Sequence, residues 1–553
     1  VAEAGAHGVA DAPRMRWWGW GAPEHPQGLP AGALRFLAET VGTAPRPVAP
    51  VALSRVELAA STLDEPTLSQ LRQIVGAEAV RSDHSERVLH AAGKGYPDLV
   101  RLRAGEPEGA PDAVVLPGDA AQVAAVLALC ARRSLAVVPF GGGTSVVGGL
   151  APLRGAHGGV VSLDTTRLSG PIALDRESRT VTVGAGMRAP ALERQLARHG
   201  LMLGHFPQSF EYVSLGGCVA TRSAGQASSG YGTIEKMVLG LRMTAPAGEI
   251  ALPALPASAA GPSLRQTLVG SEGTLGVITE LSLRVREAPR ERIYEGVFFE
   301  DFAAGVEALR ALAQSGATPD VARLSDEPET RMSLALAGSG GVKGALGRLY
   351  LGARGYREGC LAILGFEGDE RTASLRRAQA LALVRERGGL TVGRSPGEAW
   401  LKGRYAAPYL RDELLTHGVM VETLETATQW SHLRRLHRAV GEAIERALRG
   451  SGTPGLVMCH VSHLYETGAS LYFTFLARQR EEDPIGQWRA AKRAASDAIV
   501  AGGGTITHHH AIGRDHAQWM RAEIGETGLA ALRALKAELD PAGVMNPGKL
   551  LGE

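Results

Sequence analysis

The sequence predicts an α+β protein in several parts: an N-terminal helical extension, an α/β nucleotide-like domain, and an α/β cap domain with an antiparallel sheet. Three observations predict it. The chain has 553 residues, too many for one hydrophobic core. The stretch "DAVVLPGDAAQVAAVLALCARRSLAVVPFGGGTSVVGG" reads as an apolar strand, a helix with apolar positions at helical spacing, and a second apolar strand ending in glycines. Beyond residue 290, strand and helix patterns alternate and lead to a hairpin, "GLVMCHVSHL" and "GASLYFTFL" joined by "YETG".

In chain order, residues 1–95 form the helical extension. It opens with a Gly/Ala/Pro segment and "RMRWWGWG", where Trp17, Trp18 and Trp20 beside Arg16 are expected to pack a domain seam. Residues 96–286 hold the β-α-β unit, the short strands "GVVSLDT" and "TVTVGAG", the helix "RAPALERQLARHG", and strands around "LRMTAPAG" and "ITELSLRV". Residues 287–530 form the cap, beginning with the strand "RIYEGVFF", the helix "DFAAGVEALRALAQSG" and the strand "PDVARLSD". Residues 531–553 are a C-terminal segment expected to return to the nucleotide-like domain. In the second hairpin strand Leu471, Phe473 and Phe475 share one face, so Tyr472 points to the other.

The charge balance, 59 basic against 57 acidic residues, does not advertise nucleic acid or an anionic membrane as the main partner. Cys130, Cys218, Cys360 and Cys459 are scattered in apolar strings without CxxC pairing, the pattern of buried thiols in a reducing compartment. No apolar run is long enough to span a bilayer and no targeting pattern is present, so a cytoplasmic location is expected.

Near the C-terminus "GTITHHHAIG" puts His508, His509 and His510 in a row. Patterned sequence follows, which excludes a purification tag. Thr505, Ile506 and Thr507 suggest a short strand, which would set His508 and His510 on one side and His509 on the other. His509 and His510 are the candidates for direct substrate contact, and alternation predicts that they point apart. No cysteine or carboxylate pair is spaced to complete a metal site, so no metal is expected.

The sharpest local signal is "PFGGGTSVVGG". Gly141, Gly142 and Gly143 let the backbone approach a ligand, Thr144 and Ser145 add hydroxyls, and Pro139 and Phe140 lead in from the strand. This suits a pyrophosphate. It is neither a Walker A loop nor a GxGxxG turn opening a helix. "PQSFEYVSLGGCVATRSAGQASSGYG", "GSEGTLGVIT" and "LDPAGVMNPGKLL" follow it in order.

This ordered set resembles the PCMH-type FAD-binding domain of the vanillyl-alcohol oxidase and p-cresol methylhydroxylase superfamily. The resemblance implies FAD lined by Pro139 to Ser145, then by Gln208, Ser209, Phe210, Glu211, Tyr212, Val213 and Ser214. Thr221, Arg222, Ser223 and Ala224 form a third stretch, and Glu272, Gly273, Thr274, Leu275, Gly276, Val277 and Ile278 a fourth. Many members attach flavin through a histidine in or near the glycine loop. None stands there, so FAD is expected to be held non-covalently.

In the cap, "PDVARLSD" with Arg323, "APYLRDELL" with Arg411, "GASLYFTF" with Tyr472, "THHHAIG" and the N-terminal "RWWGWG" together resemble the alkyldihydroxyacetonephosphate synthase family. That resemblance implies a transferase of ether-lipid synthesis. In the family, N5 of reduced FAD captures C1 of an acyl-dihydroxyacetone phosphate, the carboxylate leaves and a fatty alcohol adds, without net redox. It implies catalytic Tyr472, His508, His509, His510 and Arg323, and substrate-binding Arg411. It also implies a small-molecule or lipid-like substrate, peripheral membrane contact and a homodimer.

The residue chemistry is compatible. Tyr472 could act as acid or base if a nearby cation or the flavin lowers its pKa from about 10. Arg411 could clamp a phosphate or carboxylate, or pair with Asp412 or Glu422; Arg323 has the same two readings. Histidines can shuttle protons near neutral pH. Two other functions fit the flavin motifs: an FAD-dependent dehydrogenase or oxidase of a 2-hydroxy acid, or of a recruited biosynthetic substrate, and a flavin-loaded binding protein without turnover.

Overall fold

The computed structural model describes residues 14–25, 28–29, 31–170, 172–336, 351–352, 354–356 and 358–552. The first thirteen residues of the expected extension lie outside the described residues. A four-stranded sheet comes first, from β1 (Val80–Arg81), β2 (Ala113–Val115), β3 (Leu135–Phe140) and β4 (Gly159–Asp164), in the order β1-β2-β4-β3. β2 and β3 both run parallel to β4, and β2 and β4 are buried along their whole length, as parallel strands covered on both faces must be. The helix Ala120–Arg133 between β2 and β3 starts where the Asp119 side chain accepts a hydrogen bond from the Gln122 N–H at 2.8 Å. It buries Val123, Val126, Leu127 and Cys130, spaced three, four and seven residues apart, and ends at Ser134 in a left-handed conformation. β3 therefore delivers Pro139 and Phe140 directly into the glycine loop.

A second, antiparallel sheet holds β5 (Ala173–Asp175), β6 (Thr180–Gly184), β8 (Val238–Ala245), β9 (Gly248–Leu252) and β10 (Val277–Arg284), in the order β5-β6-β10-β8-β9. A ribbon of β7 (Leu201–Met202) and β11 (Arg286–Glu287) lies beside it. The cap is a seven-stranded antiparallel sheet of β12 (Glu291–Phe299), β13 (Val321–Ser325), β14 (Cys360–Gly368), β15 (Leu390–Gly393), β16 (Val419–Gln429), β17 (Gly455–Leu464) and β18 (Gly468–Arg478). Their order is β15-β12-β14-β13-β17-β18-β16, so the hairpin β17–β18 sits between the strands that carry Arg323 and Glu425.

The helices Phe302–Gln314, Trp430–Gly450 and Pro484–Ala501 share one apolar core with the cap sheet, built from residues such as Leu309, Leu436, Ile499, Leu324 and Leu424. Leu471, Phe473 and Phe475 of β18 are wholly inside that core. Tyr472 and Thr474, alternating with them, line a cavity on the other face. One strand thus serves both stability and chemistry.

Both ends of the chain brace the glycine loop. The Lys94 N–H donates to the Ser145 carbonyl at 2.6 Å, and Val137 exchanges backbone bonds with Val544 and Asn546 at 2.7 and 2.8 Å. Trp20 is buried in the cap core and its backbone N–H donates to the Asp412 carboxylate at 2.7 Å, which ties the N-terminal segment to the cap. All four cysteines are buried free thiols. No helix of the described residues is long and apolar enough to cross a membrane.

The segment before the histidine run is not the strand its Thr-Ile-Thr sequence suggests. Thr505 bonds β16 through its N–H to the Ala427 carbonyl (3.1 Å) and accepts from the Thr426 hydroxyl (2.6 Å). The next N–H, of Ile506, donates to the Glu523 carboxylate at 3.0 Å instead of continuing a ladder. His508, His509 and His510 consequently follow an irregular loop, and strict alternation does not apply to them.

Candidate flavin and catalytic site

A cavity of about 430 Å³, within the range that holds small molecules and cofactors, lies between the flavin-motif segments and the cap sheet. A side chain on Gly141 would overlap the Ser214 hydroxyl, and one on Gly142 the Tyr212 carbonyl, so the glycine loop and the 212–214 segment pack backbone to backbone. Ser214 caps the helix Leu215–Ala220, its hydroxyl accepting from the Gly217 N–H at 3.2 Å. Asn546 lines the same cavity. Its amide N–H groups donate to the carbonyls of Glu272 (2.7 Å) and Gly149 (3.3 Å), while its buried Oδ1 has no protein donor. A ligand rich in hydroxyl and N–H groups, as FAD is, satisfies that oxygen, and the residues present fit the cofactor.

Of the residues expected around FAD, Pro139, Phe140, Gly141, Gly142, Gly143, Thr144, Ser145, Gln208, Ser209, Val213, Ser214, Thr221, Ser223, Glu272, Gly273, Gly276, Val277 and Ile278 line this cavity. Seven do not. Phe210 stacks on Tyr405 with ring centroids 5.3 Å apart, Glu211 accepts from the Tyr409 hydroxyl, and the Tyr212 carbonyl accepts from Arg188. Arg222 turns outward to Glu235 and to the carbonyls of Gln266 and Val269. The Thr274 hydroxyl caps the Ser271 carbonyl at 2.7 Å, Leu275 is core, and Ala224 lines a smaller neighbouring cavity. A contiguous motif sends part of its side chains away from the ligand, and these are that part.

A polar row crosses the cap sheet, and its middle members, His460 and Tyr472, line the cavity. Ser325 on β13 pairs with His460 on β17, His460 with Tyr472 on β18, and Tyr472 with Glu425 on β16. The rings of His460 and Tyr472 stack with centroids 4.8 Å apart at 19°. Arg323, two residues before Ser325, donates to His460 Nε2 (3.0 Å) and to Glu329 (2.9 Å), and His460 Nδ1 meets the same Glu329 oxygen at 2.9 Å. Burial pushes the Glu329 carboxyl up, but Arg323 and His460 outweigh it and hold it down to about 2. Burial, then Arg323, lowers His460, so its ring is neutral near pH 7. Arg323 thus makes an ion pair and lines the cavity at once.

Burial pushes the Tyr472 hydroxyl up to about 12, against the expectation that a cation would lower it. It is a proton donor across the physiological range. Arg411, on the helix Ala407–Thr416, is buried at the cavity wall and donates to the Lys94 carbonyl and the Thr423 hydroxyl, both at 3.2 Å. Of its two expected partners, Glu422 stands at 3.8 Å, whereas Asp412 is taken by Trp20.

His509 and His510 both line the cavity, with ring centroids 5.5 Å between Tyr472 and His510 and 6.2 Å between Tyr472 and His509. The expectation that these two point apart fails with the strand that motivated it. His508 lies behind them, its Nε2 2.5 Å from the Tyr465 hydroxyl and its Nδ1 3.2 Å from His509 Nδ1. Burial drives His510 down to about 3, and His463 well below its ordinary value.

Sequence reasoning missed Glu425, His460 and His463. Glu425 is 1% exposed; its Oε1 accepts the backbone N–H of His509, and its Oε2 lies against Nδ1 of the same residue as an ion-pair contact. Burial pushes its carboxyl up, but His509, His510 and His508 pull it well below the carboxylate range. His460 was recoverable from the hairpin, because its register sets it beside Tyr472. Glu425 and His463 also correct the argument against a metal: His463, His508 and His509, and separately Glu425, His509 and His510, bring donor atoms within 4.8 Å of one another. The loop histidines are joined there by donors from β16 and β17, distant from them in sequence.

The cavity continues from the polar row to an apolar pouch of Met332, Leu414, Val421, Met458 and Leu476. The same apolar cluster includes Leu37 of the helix Ala31–Thr40, so the N-terminal segment closes one side of it.

Two family models divide the chain, an FAD binding domain over residues 111–251 and the FAD linked oxidases C-terminal domain over residues 288–550. The alkyldihydroxyacetonephosphate synthase of Trypanosoma brucei brucei is 34% identical over 88% of this chain and 81% of its own length; that of Dictyostelium discoideum is 33% identical over 87% and 80%. A solved alkyldihydroxyacetonephosphate synthase structure superposes with a TM-score of 0.83 at 29% identity, over 97% of this chain and 98% of that one. With its FAD-binding cavity and this extent of likeness, the chain belongs to the alkyldihydroxyacetonephosphate synthase family of FAD enzymes.

Proposed function

We propose that the protein replaces the acyl group of an acyl-dihydroxyacetone phosphate by the alkyl group of a long-chain alcohol, forming an ether without net redox. One observation carries the reading: a single cavity joins the FAD cradle, the polar row and an apolar pouch. Bound FAD supplies an electron-rich ring system able to hold and return a substrate carbon without net oxidation. The Tyr472 hydroxyl, which keeps its proton up to about 12, donates to the ketone oxygen. Arg411 and Arg323 put positive charge on the cavity wall and attract the phosphate or the departing carboxylate. His510 and His509 hold and move protons, with His508 supporting them from behind. Met332, Leu414, Val421, Met458 and Leu476 take the hydrocarbon chain.

FAD is held non-covalently in this reading, since residues 139–149 contain no histidine. The protein works as a cytoplasmic homodimer that touches membranes to collect its substrates, which light scattering and vesicle co-sedimentation test. The decisive experiment incubates the purified yellow protein with palmitoyl-dihydroxyacetone phosphate and hexadecanol, following product masses and the flavin spectrum. Alkyl ether and free palmitate in equal amounts are expected, with no net reduction. Bleaching by a 2-hydroxy acid under anaerobic conditions, without ether product, would overturn the reading in favour of a dehydrogenase.

A further inference from the structure

Glu425 stands on β16, directly across the ladder from Tyr472, and is 1% exposed. A carboxylate so buried is costly unless something needs it. Its two oxygens have separate tasks: Oε1 accepts the backbone N–H of His509, and Oε2 meets Nδ1 of the same ring. The groups that act on it from neighbouring elements are His460, His463 and Tyr465 of β17 and its turn, Tyr472 of β18, His508 and His510 of the loop, and His516 just beyond it. Of these, His508 is the competitor for Oε2, its Nδ1 farther off at 3.7 Å, and that same Nδ1 lies 3.2 Å from His509 Nδ1, where its lone pair can accept from an Nδ1–H of His509.

We infer that Glu425 is a positioning residue that fixes His509 as the Nδ1–H tautomer, so that Nε2 of His509 presents its lone pair to the cavity as the proton acceptor of the reaction. A ring held by an anion on one nitrogen cannot turn, and its other nitrogen gains basicity. The backbone bond holds the same residue at its main chain, so one carboxylate sets both the position and the proton of the imidazole. His510 has no such anchor: its buried Nδ1 lacks a protein partner. The division of labour between the two cavity-lining histidines follows from that difference.

The catalytic part of this inference rests on the proposed transferase reading; the tautomer does not. In Glu425→Gln the single amide oxygen is used by the His509 N–H, which leaves the NH₂ group facing Nδ1. The ring must then accept at Nδ1 and carry its proton on Nε2. The test is a long-range proton–nitrogen spectrum of histidine-labelled holoenzyme, with the His509 signals assigned by their loss in His509→Ala. The wild type is expected to show Nδ1–H and Glu425→Gln to show Nε2–H, at equal flavin content. In the ether-forming assay Glu425→Gln should lower kcat about 10–100-fold with KM changed less than about 3-fold. Glu425→Asp should restore part of the loss, and Glu425→Gln combined with His509→Ala should be no slower than His509→Ala alone. An Nε2–H tautomer in the wild type, or the same tautomer in wild type and Glu425→Gln, overturns the inference. Absence of ether formation by the wild type overturns the transferase reading and leaves the spectrum to decide this one.

Discussion

The phenol ring of Tyr472 stacks on the imidazole of His460, centroids 4.8 Å apart, with each residue the register partner of the other across the β17–β18 hairpin. The stack fixes the hydroxyl's direction, and burial keeps it protonated up to about 12. Tyr472→Phe preserves the stack and removes only the donor. It should keep FAD, measured by flavin absorbance per chain, and lose about 100-fold or more in kcat. The wild-type rate should show no inflection from this group between pH 5 and 9.

Glu272 gives a pH signature. Its carboxylate accepts the N–H groups of Ile512 (2.8 Å) and Gly513 (2.7 Å), and burial raises it from 4.5 to about 7. The folded state therefore binds this proton more tightly than the unfolded chain does. Its contribution to stability is complete below pH 4.5 and is lost as pH rises through about 7. Melting curves of wild type and Glu272→Gln should differ in slope against pH within that window and run parallel outside it. Glu272→Ala leaves two buried N–H groups unpaired and should cost about 2–4 kcal/mol.

Gly142→Ala tests the cradle. The new methyl group would meet the Tyr212 carbonyl, a backbone atom that cannot swing aside. Expected is a loss of flavin affinity of about tenfold or more, read by equilibrium dialysis, with the far-ultraviolet circular dichroism unchanged.

Met458→Trp tests the apolar pouch. Met458 lines the cavity beside Val421 and Leu476. An indole there should raise KM for a sixteen-carbon alcohol about tenfold while sparing an eight-carbon one, in competition assays read by mass spectrometry.

The flavin half was legible because its motifs are local. A run of glycines between a buried strand and hydroxyl side chains declares itself in a dozen residues, and the β17–β18 hairpin announces which way Tyr472 points. The catalytic half was less legible because it is assembled across strands. Glu425 looks like any acid in "VETLETATQ", and only the order β17-β18-β16 brings it opposite Tyr472. The histidine run misled for a related reason. Thr505, Ile506 and Thr507 favour a strand, but the Glu523 carboxylate takes the N–H that would have paired. Arg222 misled in another way: it sits inside a flavin motif, yet its left-handed backbone turns it toward Glu235.

The histidine loop is moored at both ends by buried carboxylates from different halves of the molecule, Glu425 of the cap at His509 and Glu272 of the flavin domain at Ile512 and Gly513. Two residues, His510 and Ala511, separate the moorings. The loop is thus a short tie-rod between the two halves, and a small rotation of one against the other would swing the imidazoles off the cavity wall before it disturbed either core. Substitutions at the seam, far from any substrate, should register first as lost turnover, with flavin content and melting temperature still intact.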